Sequence, residues 1–187
     1  PKYPVFIPTK GRWEKPLTIW SFQNMNIPFK IVIEEQELKH YSKIVDEKDI
    51  LILPHKDGGL TKTRNWIWDY CQDKGYEYFW TFDDNIGRHV ESMDGHSAIC
   101  RFNGNLQIPV SNGSALMAIE DFTERYENVY ISGMHYYKFH ARKTMPPPFY
   151  LNTRIYSNML IKTNIPYRNK LFYNDDTDLC LRVLKDG

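Results

Sequence analysis

The feature that most constrains the fold of this chain is the alternation of apolar runs with amphipathic stretches over residues 3–82. The runs YPVFIP, FKIVIE, DILILP and YEYFWTF (3–8, 29–34, 49–54 and 76–82) have the length of strands. They are apolar at successive positions, which favours strands buried on both faces. Strands that alternate with helices predict an α/β fold with a mostly parallel central sheet flanked by helices.

The stretches between these runs carry helix signals. Residues 14–26 have apolar side chains at helical spacing, and Pro16 is tolerated in a first turn. Residues 35–45 predict a second helix. Thr61 predicts the N-cap of a third, with Gly75 at its end.

The second half of the chain has a mixed pattern, which is compatible with a single domain. Residues 99–111 predict a hairpin, and residues 114–129 a helix. Residues 129–139 and 154–165 predict strands, separated by the proline-rich loop 141–149. The final stretch, 176–187, predicts the start of a helix and is compatible with a chain that continues beyond Gly187.

Composition excludes several classes of protein. Of 187 residues, 42% are apolar and 25% are charged, which is a globular composition. The formal net charge of +1 gives no global attraction to nucleic acid, so such a contact requires a local patch. The three cysteines lack metal-site spacing, which favours a reducing compartment, the cytoplasm. No apolar run is long enough to span a membrane.

Two carboxylates and an amide, Asp83, Asp84 and Asn85, end the fourth predicted strand. Ligands of open parallel sheets bind beyond the carboxyl ends of the strands. Adjacent carboxylates repel one another unless a cation or water lies between them, and hard oxygen ligands suit Mg²⁺ or Mn²⁺. The sequence therefore predicts a divalent-cation site, with a solvated turn as the open alternative.

Neighbouring strand ends carry polar and basic residues. The first strand ends in IPTKGR, which contributes Thr9 and Arg12. After the third strand, Gly58 and Gly59 allow close backbone approach to a ligand, and Lys62 and Arg64 can face phosphate at a helix N-terminus. A plain turn and a solvated helix face are the alternatives here.

Three carboxylates, Asp175, Asp176 and Asp178, cluster at the predicted start of the last helix. One carboxylate is sufficient for capping, and the helix dipole stabilises negative charge there. One of the three can act as a general base that takes a proton from an acceptor hydroxyl.

The segments VFIPTKGR, GGLTKTRN, FWTFDDN and NDDTDLCLR resemble, in this order, motifs of nucleotide-sugar-dependent glycosyltransferases of the GT-A fold. Within that fold, FIPTKGR and GGLTKTRNWIWDY are most similar to the phage-type TET-associated glycosyltransferases. The resemblance covers Val5 to Arg182. It implies one GT-A-like (Rossmann-like) domain, with a nucleotide-binding half (1–90) and an acceptor and catalytic half (91–187).

The resemblance also implies a role for each matching residue. Asp176 would be the catalytic base of an inverting transferase, with Asp175 beside it where the family has Glu. A metal ion, Mn²⁺ or Mg²⁺, would be held by Asp83, Asp84 and Asn85, although Asn85 stands where the family usually has a carboxylate. The nucleotide-sugar, taken to be a UDP-sugar, would contact Pro8, Thr9, Arg12, Asp57, Gly58, Gly59, Lys62, Arg64 and Asp83.

The acceptor implied by the family is a hydroxymethylated pyrimidine in DNA, in the host cytoplasm for a phage protein. Residues 134–150 interleave cations with aromatic rings, which suits a DNA backbone and an exposed base. The candidate acceptor residues are Tyr136, Lys138, His140 and Arg142, and a solvated basic loop is the alternative. Other hypotheses are a glycan, lipid or polysaccharide acceptor, a non-catalytic nucleotide-sugar-binding module, and a nucleotidyltransferase.

Overall fold

A computed structural model of the chain describes residues 1–86, 100–103, 106–135 and 149–186. Its strands are β1 (Val5–Pro8), β2 (Lys30–Ile33), β3 (Ile50–Ile52), β4 (Tyr78–Phe82), β5 (Cys100–Asn103), β6 (Leu106–Pro109), β7 (Ile131–Ser132) and β8 (Asn158–Lys162). Its helices are α1 (Leu17–Asn24), α2 (Leu38–Tyr41), α3 (Gly59–Asp73), α4 (Ser114–Thr123) and α5 (Asp175–Asp186).

The central sheet has six strands in the order β3-β2-β1-β4-β8-β7. Strands β1 to β4 are parallel, whereas β8 runs antiparallel to both β4 and β7. This arrangement confirms the predicted α/β fold with a mostly parallel sheet and mixed strands in the second half. Strands β5 and β6 form a separate antiparallel hairpin, as predicted.

Helices cover both faces of the sheet, as the apolar strands require. On β1, Ile7 packs in the core that α1 and α4 cover, while its neighbour Phe6 packs on the opposite side with α3 and α5. Trp80 and Phe79 of β4 divide between the two cores in the same way. This division follows from the period-two alternation of side chains along a strand.

The order of the strands creates a crevice at the end of β1. From β1 the chain adds β2 and β3 on one side and then places β4 on the other side. Connections that leave neighbouring strands in opposite directions open a space between them, and α/β sheets bind ligands there. The segments after Pro8 and Phe82 therefore meet at this point.

Four local predictions of helices need correction. The helix predicted over residues 114–129 ends at Thr123. Pro16 occupies the N-cap position of α1, so that helix is shorter than residues 14–26. Residues 35–45 form a 3-10 turn, Glu35–Glu37, followed by one turn of α-helix. The Thr61 cap is wrong, because Gly58 takes the N-cap position and the Thr61 hydroxyl donates to the carbonyl of Leu171 at 2.5 Å.

The strand predicted over residues 129–139 is short in the structure. It contains only Ile131–Ser132 within the described part, and residues 136–148 lie outside the description. The strand predicted over 154–165 is present as β8, and the helix predicted from Asp176 begins at Asp175.

Candidate active site

A cleft of about 710 Å³ lies at the carboxyl ends of the parallel strands. Most of its lining comes from the loop after β1, the start of α3, the turn after β4, and the start of α5 with the residues before it. The other lining residues are Val32, Glu34, Leu53 and Tyr156. The cleft brings together these predicted site residues: Pro8, Thr9, Arg12, Gly59, Arg64, Asp83, Asp84, Asn85, Asp175 and Asp176.

Asp84 connects the end of β4 to the loop after β1. Its Oδ2 accepts a hydrogen bond from the Thr9 hydroxyl at 2.9 Å, and its Oδ1 pairs with Arg12 Nε at 3.0 Å. Thr9 also lies 2.7 Å from the Tyr41 hydroxyl, which accepts from the Arg12 amide. Burial raises the pKa of the Asp84 carboxyl above its ordinary value, although Arg12 and Thr9 act in the opposite direction. This wall of the cleft is thus fixed by short polar contacts.

Arg64 connects the acidic segment after β4 to the acidic start of α5. One end of its guanidinium contacts Asp83 Oδ1 at 2.6 Å, and the other contacts Asp175 Oδ2 at 2.7 Å. The side chain is buried, and the two carboxylates raise its pKa against the effect of burial, which keeps it charged. We expected Arg64 to face a phosphate. In the structure its guanidinium is occupied by these two carboxylates.

Asp176 lies in the first turn of α5, beside Asp175, and both are buried in the cleft wall. Its Oδ1 accepts a hydrogen bond from the Thr177 amide at 2.7 Å. Burial raises the pKa of Asp176 above its ordinary value. This effect is larger than the lowering of the pKa by the Thr177 amide and Arg64. A carboxylate with a raised pKa is a stronger base, which suits proton abstraction from a hydroxyl.

Three predicted residues, Asp57, Gly58 and Lys62, lie beside the cleft rather than among its lining residues. Asp57 pairs with Lys10 at 2.6 Å, and Lys10 does line the cleft. A Cβ at Gly58 would lie 2.5 Å from the ring of His55. The glycine therefore makes room for His55, whereas the sequence predicted close approach of a ligand.

The candidate acceptor residues Tyr136, Lys138, His140 and Arg142 lie outside the residues that the structure describes.

Sequence reasoning missed a buried carboxylate, Glu34, at the end of β2. It accepts hydrogen bonds from Lys10 at 2.9 Å, from the Asp57 amide at 2.8 Å, and from the Gln36 side chain. Burial opposes its ionisation, but these donors outweigh burial and hold the pKa of Glu34 below its ordinary value. Its position was a usable signal, because Glu34 is the last residue of the second predicted strand and so lies at the same edge of the sheet as Asp83.

Sequence reasoning also missed Phe172 and Tyr173, which line the cleft directly before α5. Their aromatic character alone carried no signal, because a chain with 15% aromatic residues places most rings in its core.

The carboxylate and amide oxygens of the turn after β4 are ligands of the type that hard cations prefer. Among the residues described, no group of three or more His, Cys, Asp or Glu side chains is arranged to hold a metal ion. Both oxygens of Asp84 already contact Thr9 and Arg12. The side-chain oxygen of Asn85 is buried without a hydrogen-bond partner. These residues fit a cation that takes its other ligands from water and from a bound diphosphate, as Mg²⁺ usually does.

Comparison with known proteins gives the family of the chain. A search of curated proteins found no match to the chain. No helix in the described ranges has the length and apolar character needed to cross a membrane. The sequence profile of the TET-associated glycosyltransferases matches residues 3–187, nearly the whole length. The protein is therefore an enzyme, a glycosyltransferase, and belongs to the TET-associated glycosyltransferase family.

Proposed function

We propose that this enzyme transfers a sugar, with inversion, from a UDP-sugar to the hydroxyl of a hydroxymethylated pyrimidine in DNA. The observation that carries the proposal is the convergence of the two acidic segments on one cleft. Asp83 and Asp175 are joined there through Arg64 by contacts of 2.6 and 2.7 Å, and Asp176 lies beside them. The family name supports a DNA acceptor, and a phage protein would meet that DNA in the host cytoplasm.

The chemistry follows from these positions. Asp176 takes the proton of the acceptor hydroxyl while the hydroxyl oxygen attacks the anomeric carbon. The bond from that carbon to the diphosphate breaks on the opposite side, so the configuration inverts and UDP leaves. Thr9 and Arg12 lie at the end of β1, where they can bind the donor.

Metal dependence is part of the proposal. A bound Mn²⁺ or Mg²⁺, held by Asp83 and Asn85 with Asp84 beside them, would neutralise negative charge on the departing diphosphate. The unpartnered buried oxygen of Asn85 supports this assignment. Asp84 supports it less directly, because its oxygens contact Thr9 and Arg12.

The test incubates the protein with a panel of nucleotide-sugars, Mn²⁺, and either unmodified or hydroxymethylated DNA. Mass spectrometry of the digested nucleosides should detect a hexose only on the hydroxymethylated base. Released UDP, rather than pyrophosphate, separates sugar transfer from nucleotidyl transfer. Transfer to a glycan or lipid acceptor, with none to DNA, would overturn the proposed acceptor.

A further inference from the structure

Two rings at the cleft mouth have no role in the function proposed above. Phe172 and Tyr173 are 69% and 78% exposed, and the adjacent Leu171 is 48% exposed. We call Leu171, Phe172 and Tyr173 the aromatic lip. Clustered apolar side chains with this much exposure often mark a binding surface, and the two rings line the cleft itself.

The aromatic lip is supported by a fixed backbone. The Thr61 hydroxyl of α3 donates to the Leu171 carbonyl at 2.5 Å. Asn65 and Asn169 exchange two hydrogen bonds, each of 2.9 Å, just before the lip. The ring of Phe172 rests against Gly59, where an added Cβ would lie 3.1 Å from it. Rings held in this way lose little conformational entropy when a ligand binds.

The two rings meet edge to face, with centroids 4.8 Å apart and planes at 84°. In this arrangement one ring supports the edge of the other and leaves a flat face for stacking. Tyr173 is the more exposed of the two, so its face is the more accessible.

The charges near the lip select the kind of ligand. The cations that line the cleft beside it, Lys10, Arg12 and Arg64, are each already paired with a carboxylate. Outside the cleft, Lys62 follows Thr61 in sequence and Lys170 precedes Leu171, and both lysines are exposed. Because Thr61 contacts Leu171, these cations flank the lip. A neutral base can therefore enter the cleft, while the phosphates of its strand remain outside, near Lys62 and Lys170.

We infer that the aromatic lip is the stacking site for the acceptor pyrimidine, which binds unpaired and out of its base stack. This inference rests on the proposed function and adds how the acceptor is held. Tyr173 and Asp176 line the same cleft, so a base stacked on Tyr173 lies in the cleft that contains the proposed proton acceptor. A base within a duplex has no free face for a protein ring, so the target base must be single-stranded or extruded.

The test measures binding without a sugar donor, by fluorescence anisotropy. The probes are a single-stranded oligonucleotide with one 5-hydroxymethylcytosine and a matched oligonucleotide with an abasic residue there. We expect the wild-type protein to bind the abasic probe roughly ten- to hundredfold more weakly, the range of base–aromatic stacking. Tyr173→Ala should weaken binding of the base-containing probe to a similar extent and bind both probes equally. Tyr173→Phe should retain wild-type discrimination.

The matched control is Tyr126→Ala, another exposed tyrosine, at 45%, placed after α4 and away from the cleft lining. This control should bind both probes as the wild type does. The stacking site would be overturned if Tyr173→Ala weakened binding of both probes equally. It would also be overturned if this variant changed binding of the base-containing probe by less than about twofold.

Transfer assays on the same variants separate failure of the inference from failure of the proposed function. If the wild type discriminates the probes but transfers no sugar to DNA, the proposed function fails while the stacking site stands. If the wild type transfers sugar, Tyr173→Ala should raise KM for DNA and leave KM for the donor unchanged. A raised KM for the donor alone would place the nucleotide-sugar on the lip and overturn the inference.

Discussion

At the scale of single residues, Asp176 combines a buried carboxylate, a raised pKa and a position on the cleft wall. We expect Asp176→Asn to reduce kcat by about 10²- to 10⁴-fold, the usual contribution of a general base. The amide has the same shape and still accepts the Thr177 amide hydrogen bond, so the donor should bind with unchanged affinity. Steady-state kinetics and calorimetric titration of the donor would measure the two effects.

The control for this prediction is Asp178→Asn. Asp178 lies in the same turn of α5 but pairs with Arg182 at 2.8 Å and is absent from the cleft lining. It should retain near-wild-type kcat. Loss of donor binding in Asp176→Asn, without a specific defect in rate, would contradict the role of Asp176 as base.

The pH dependence of the reaction follows from the same residue. Asp176 acts as a base only when deprotonated, and burial raises its pKa above 3.8. Activity should therefore fall as the pH is lowered, with the acidic limb of kcat/KM at a pH above that ordinary aspartate value. This limb should be missing from the residual activity of Asp176→Asn. An unchanged limb in that variant would assign the titration to another group, and Asp84, whose pKa burial also raises, would be the first alternative.

At the scale of structural elements, Arg64 holds α3, the turn after β4 and α5 together. Removing one partner of a buried ion pair leaves uncompensated charge and typically costs about 3–5 kcal/mol. Arg64→Met should therefore lower the free energy of unfolding by roughly this amount, because Asp83 and Asp175 lose their shared cation. Urea denaturation monitored by circular dichroism would measure the change.

An exposed pair at the end of α4, between a residue of the helix and one just beyond it, provides the matched control. Arg125 pairs with Asp121 at 3.4 Å, with side chains 66% and 78% exposed. Solvent screening makes such pairs contribute little, so Arg125→Met should change stability by less than about 0.5 kcal/mol. If Arg64→Met lowered the free energy of unfolding no more than Arg125→Met does, Arg64 would not be a stabilising link between the elements.

Gly59 and Gly75 lie at the two ends of α3 and allow a second test at this scale. Both have positive φ, 76° and 70°, where an alanine side chain is strained by about 1–2 kcal/mol. An added Cβ at Gly59 would approach Phe172 to 3.1 Å, whereas at Gly75 nothing lies within 4 Å. Both alanine variants should lose similar stability in urea denaturation.

Only Gly59→Ala should also disturb the aromatic lip and weaken binding of hydroxymethylated DNA in the anisotropy assay. Equal DNA binding by Gly59→Ala and Gly75→Ala would show that Gly59 does not position Phe172.

At the scale of the whole molecule, the cleft is assembled from segments near both ends of the chain, so ligand binding should stabilise the entire fold. A donor at about 100 times its Kd contributes about 2.7 kcal/mol to the free energy of unfolding. For a chain of this length, that corresponds to a rise in Tm of roughly 5–10 °C. Thermal unfolding with donor alone, Mn²⁺ alone, and both together would measure it.

Asp83→Ala tests the metal contribution in this assay. If Asp83 holds a cation that bridges to the diphosphate, the variant should lose the Mn²⁺-dependent part of the rise and keep the part due to the donor alone. The same Mn²⁺ dependence in wild type and variant would remove Asp83 from the metal site.

Much of the fold could be predicted from the sequence, because the periodicity of apolar residues and the positions of turn and cap residues are local properties. The runs around Ile7, Ile31, Leu51 and Trp80 form parallel strands, and both faces of the sheet are covered as their apolar character requires. Errors occurred where a tertiary contact overrode a local preference. Thr61 is an example, because its hydroxyl contacts Leu171 instead of capping α3.

The sequence by itself determined the α/β class, the succession of strands and helices along the first half of the chain, and the acidic and basic residues placed at the strand ends, because each depends on neighbours within one turn or strand. Only the tertiary structure decided which of these groups meet. Arg64 and Asp175 are 111 positions apart, and β8 lies beside β4 with nothing local to require it. Such pairings are set by the packing of the whole sheet, and they turn separate motifs into one cleft with an aromatic lip at its edge.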